Sequence, residues 1–156
     1  MSQLATETYI RRETRISVAI NAAISLLFYV LVFGGRNPVN VWGAGQWVLD
    51  FLPQGFMIAL MGTLVPGLLA ARRLRAGSIL PLGKQSPLPR NLALRGLLLA
   101  LVSAFVCTGV VALTMRCAGP ETLPAWAAAS IKVALGALLA AIVTPIGLRS
   151  TLAQSA

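Results

Sequence analysis

One charge stands inside an apolar run of this chain: Lys132, within the stretch Pro124 to Gly147. At ~1.5 Å per helical residue it lies roughly 10 Å below the start of that stretch. Its natural counter-charge is Asp50, which stands at the mouth of another apolar run, Phe51 to Ala71, opening on the same side. Two readings follow. The lysine stem snorkels and delivers its ammonium to the interface. Alternatively Lys132 and Asp50 pair, locking two helices together or holding an anion at that level.

Other chemistry has little material. The chain has no histidine, and its four acids are Glu7, Glu13, Asp50 and Glu121, none of them inside an apolar run. Nucleophile–base pairs, carboxylate pairs and haem or quinone ligands are therefore not assembled by the usual residues. Cys107 and Cys117 stand ten apart with no CxxC, which excludes the familiar zinc and redox spacings. Cys107 reads as a small apolar residue in mid-helix, and Cys117 falls in a short loop. The sequence predicts a protein that is not an enzyme, with no catalytic residue, cofactor or metal. Proton-coupled transport, which places a carboxylate or histidine within the membrane, is disfavoured on the same ground.

A second polar set lies in the first apolar run. Ser17, Asn21, Ser25 and Tyr29 recur every fourth residue and share one helical face. Facing lipid they would be costly, so the face points at protein, either as packing contacts or as the lining of a polar path. Gln54, at the start of the second run, is a further candidate for either role.

The elements that carry these residues are set by composition. Of 156 residues 57% are hydrophobic and 11% charged, with mean hydropathy +0.81. Soluble domains are about 45–50% apolar and ~25% charged, so lipid must serve as the solvent for this surface. About 20 apolar residues cross a bilayer as helix. Four such runs are present, about 16–34, 51–71, 96–115 and 124–147, giving an all-α, single-domain membrane protein of four transmembrane helices. The first follows Arg11, Arg12 and Arg15 as a signal peptide would, but it is too long for an h-region and no cleavage site follows, so it reads as uncleaved.

Between the first two runs, residues 35–50 carry Trp42 and Trp47, which suit the headgroup layer, and a short interfacial helix is expected near Gly45. Asp50 is placed to cap the following helix. Gly55, Ala59, Thr63 and Gly67 form a close-approach face on the second helix, as do Gly136, Ala140 and Thr144 on the fourth. Pro66 is expected to bend the second helix late, and Pro145 to end or kink the fourth.

The net charge of +9 collects beside the helix ends. Arg72, Arg73, Arg75, Lys84, Arg90 and Arg95 fill the connection 72–95, whose prolines Pro81, Pro87 and Pro89 oppose a continuous helix. That placement predicts contact with anionic headgroups rather than nucleic acid, for which no motif is present. Positive charge gathers at the N-terminus, this connection and the tail. Both termini are therefore expected on the cytoplasmic side of a bacterial inner membrane.

The halves echo each other: Arg15 and Arg95 at an offset of 80, Trp47 and Trp126 at 79, Pro66 and Pro145 at 79. Pro53 and Pro124 break the pattern. A tandem duplication would place both halves in the same orientation, about an axis along the membrane normal. Each half, a basic residue, an apolar helix, a Trp-bearing turn and an apolar helix with a late Pro and Arg, resembles the small two-helix bacterial inner-membrane proteins. The resemblance covers residues 15–73 and 95–149; that group has no assigned chemistry, so it implies topology and no site. The sequence thus predicts an accessory or structural membrane component, alone, as a homo-oligomer or in a larger complex. The alternative is a small permease or channel for a small solute or anion.

Overall fold

A chain whose helices turn much of their apolar surface outward must still bury its polar groups, and the computed structural model of this protein does so. It describes residues 3–83 and 86–153; Lys84 of the basic connection and the end of the tail lie outside the described residues. Four helices are present there: α1 (Gln3–Phe33), α2 (Phe51–Arg75), α3 (Leu92–Ala118) and α4 (Ala125–Ala153). Each is long and apolar enough to cross a membrane. Large apolar side chains stand outward on all of them: Leu31 is 70% exposed, Phe105 67% and Leu113 65%. In water such a surface would aggregate; against hydrocarbon it is at rest.

All four helices outrun the apolar stretches that announced them. α1 begins at Gln3 rather than near Ile16, and α4 continues through Pro145 to Ala153. Hydropathy marks where a helix meets lipid, not where it ends. The extra turns gather at the basic end, where Tyr9 and Ile10 of α1 pack with Ala70, Ile79, Leu148 and Leu152 in a small core of their own. α2 likewise runs through Pro66 to Arg75 and stops where Gly77 takes a left-handed φ of 67°. Asn91 caps α3 by accepting from the amides of Ala93 and Leu94 at 2.9 and 3.2 Å. No described part of 76–91 is helical, in keeping with its prolines. Cys117 belongs to the last turn of α3 rather than to a loop.

α1 packs along α4, α3 packs along α2, and α2 and α4 pack against each other in the centre. α1 barely touches α2, and α3 barely touches α4. At the end opposite the basic connection the two short links meet as an antiparallel pair of strands, β1 (Val39–Asn40) and β2 (Thr122–Leu123), with Val39 opposite Leu123. Residues 43–50 form turns, not the interfacial helix expected near Gly45. Trp47 does not stand at an exposed helix end as its position suggests: it is wholly buried, donates to the Ala128 carbonyl at 3.2 Å and meets Phe51 edge-on, whereas Trp42 and Trp126 are exposed.

The small residues lie at the crossings. A methyl group added at Gly55 would come within 3.2 Å of the α3 backbone at Ala104 and Ser103, and one at Gly136 would collide with Ser25. Ala59, Thr63, Ala140 and Thr144 are buried, and Gly67 faces Leu92 and Thr151. Close approach at these points is what permits the hydrogen bonds described next.

Candidate functional site

α2 and α4 cross with their N-terminal ends side by side, and this brings Asp50 and Lys132 together. The ammonium donates to Asp50 Oδ2 at 2.6 Å and to Gln54 Oε1 at 2.7 Å. Its open side is covered by aromatic faces, the Phe51 ring centroid at 4.3 Å and that of Phe33 at 5.8 Å. Lys132 is 1% exposed, while the Asp50 side chain retains 22%. The lysine does not snorkel. Hydrogen bonds meet it from the start of α2, and ring faces from α1 and α2. Asp50 makes no side-chain cap to its own helix, contrary to expectation, because its carboxylate is engaged by the lysine.

Gln54 extends the cluster. Its amide nitrogen donates to Ser25 Oγ at 3.1 Å and to the Lys132 carbonyl at 3.2 Å, so one side chain ties α1, α2 and α4. Down the same seam Ser17 Oγ and Thr144 Oγ1 lie 2.8 Å apart, and Asn21 donates to the Ser17 carbonyl at 2.8 Å. Tyr29 donates to the Ala125 carbonyl at 2.9 Å. The polar stripe of α1 therefore faces α4 and α2. Each of its four members is bonded to protein, and Asn21 and Tyr29 do not join the Lys132 cluster.

A second buried cation stands outside the set of candidates that the sequence offers. Arg95, counted among the cations of the basic connection, is 1% exposed. Its guanidinium donates to Ser150 Oγ at 3.0 Å, Thr151 Oγ1 at 2.5 Å and the Pro89 carbonyl at 3.5 Å. Ser150 also bonds Ser86 at 2.7 Å, tying the basic connection to the end of α4. Only the polar pair Ser150–Thr151 within a buried helical end hints at such a partner.

In chemical terms the Lys132 cluster is a neutralised ion pair with two ammonium donors hydrogen-bonded and the remaining side against ring faces, a locking arrangement more than a reactive one. Among the described residues no three His, Cys, Asp or Glu side chains stand together as metal ligands would. Comparison with protein families, with curated proteins and with solved structures finds no match.

Proposed function

We propose that this protein is a non-enzymatic, structural or accessory component of a bacterial inner membrane, with both termini and the basic connection in the cytoplasm. The observation that carries the reading is the engagement of Lys132. The one charge deep in a span is consumed by Asp50 and Gln54, and the α1 stripe by partners on α1, α2 and α4. Polar groups so engaged hold helices in place; a permeation path needs them facing water. The opposite view, a small permease or channel for a solute or anion, draws on Lys132 and the helix prolines.

The packing also supports the tandem repeat, with the two halves related by an axis along the membrane normal. In each half the first helix leans on the second helix of the other half, and the two links pair across the centre. Gly55 meets α3 where Gly136 meets α1, at Ala104 and Ser25, which are 79 apart.

Reconstitution decides between the functions. Proteoliposomes holding the full chain should be no leakier to halides, phosphate or small neutral solutes than empty ones, and mild-detergent extraction should yield a defined oligomer or partner complex. A solute flux abolished by Lys132→Met would overturn the reading. Orientation is tested on Cys117, exposed at the end away from the basic connection: a membrane-impermeant maleimide applied from the periplasmic side should label it.

A further inference from the structure

Because α1 and α2 hardly touch, a cleft runs between them, bridged at the Gln54–Ser25 hydrogen bond. It holds two pockets laid end to end. The outer, about 230 Å³, is lined on α1 by residues from Ile24 to Val32 and on α2 by residues from Asp50 to Ile58. The inner, about 240 Å³, shares Ile24 and continues along α2 from Met61 to Leu69. From Asp50 to Leu69 the cleft measures ~28 Å at 1.5 Å per residue, close to the ~30 Å of a hydrocarbon core. Its walls, Ile24, Phe28, Val32 and Met57, are between 38% and 58% exposed and belong to the lipid-facing flank.

The outer pocket has a charged end. Asp50 gives Oδ2 to Lys132, but Oδ1 makes no hydrogen bond among the described residues. Lys132 lies behind it, 1% exposed and not part of the lining. A molecule entering from the flank therefore meets apolar walls and, at the depth where a helix leaves the hydrocarbon, an unfilled carboxylate oxygen. An ammonium with N–H donors complements that oxygen. A glycerol headgroup offers only neutral hydroxyl donors and leaves its phosphodiester charge uncompensated, and a quaternary amine brings charge but no N–H donor.

We propose that this cleft binds one amine-headed phospholipid, its primary ammonium on Asp50 Oδ1 and an acyl chain laid between α1 and α2. The inference rests on the four helices spanning a membrane and is independent of whether the chain is an accessory component or a permease.

The test is lipid retention by the full chain, read by native mass spectrometry after exchange into equal mixtures of phosphatidylethanolamine, phosphatidylcholine and phosphatidylglycerol of identical acyl chains. A charge-assisted hydrogen bond should favour the ethanolamine lipid over the choline lipid by about tenfold. Ile24→Trp and Met57→Trp, each filling a wall outside the Lys132 cluster, should bring that ratio near one while leaving the melting temperature unchanged. Equal retention of the three lipids in the parent protein overturns the proposal, as does preference for the glycerol lipid. So does an ethanolamine preference that survives both tryptophans, or a lipid-free dimer closed over the cleft.

Discussion

Two cations are buried to the same degree at opposite ends of this bundle, and they are held by different chemistry. Lys132, at the strand-paired end, rests on a carboxylate brought by another helix. Arg95, at the basic end, rests on the hydroxyls of Ser150 and Thr151 and a backbone carbonyl. A point charge with three donors is matched to Asp50 and Gln54, with ring faces on its remaining side. A planar fork is matched to two oxygens on successive residues. The consequences of losing a partner differ too. Ser150 and Thr151 keep other bonds when the guanidinium is absent, to Ser86 Oγ and the Gly147 carbonyl. Lys132 has no second carboxylate among the described residues to turn to.

The comparison is broken most forcefully at Asp50. Asp50→Ala leaves an ammonium in a site that is 1% exposed, and should destabilise the bundle by about 3–5 kcal/mol, measured by reversible denaturation in detergent. Lys132→Met should cost less, because the orphaned carboxylate keeps access to solvent. The pair Asp50→Leu with Lys132→Met should recover most of the loss, since two apolar groups replace a desolvated ion pair. A double variant as unstable as Asp50→Ala would show that the pair does more than neutralise itself.

At the other end Arg95→Leu should cost about 1–2 kcal/mol by the same measurement, as its hydroxyl partners keep bonds elsewhere. Arg95→Lys should recover only part of this, because one ammonium does not span both hydroxyls as the fork does. Full recovery would mean that charge alone, and not planar geometry, matters there. Trp47→Phe removes one buried hydrogen bond and some packing, about 1–2 kcal/mol, and the smallest effect is expected from Trp126→Phe, 74% exposed, which should be silent in thermal melts.

The difference between the two sites also explains what could be read beforehand. Lys132 was visible because a lone charge in an apolar run has no bland company, and Asp50 was the acid nearest in depth. Arg95 was invisible because it stood in a crowd of cations whose presence the membrane itself accounts for. Trp47 was misplaced for a related reason: tryptophan near a span end suits the headgroup layer, and only the chain's return through Ala128 buries it. The α1 stripe was legible as a face turned to protein. Which atoms it would meet was not, since Ser17 and Thr144 are 127 residues apart.

Composition and the spacing of apolar runs determined by themselves that this chain forms four long helices, because unsatisfied backbone is intolerable in lipid and helix is the local way to satisfy it. They determined as well that small residues would mark the crossings. Tertiary structure alone decided that first helices pack on second helices of the opposite half, that Lys132 is buried rather than led to the surface, and that a cleft opens between α1 and α2. Those outcomes depend on which side chains meet across the bundle, and such pairings are fixed by shape and hydrogen-bond geometry between residues far apart in the sequence.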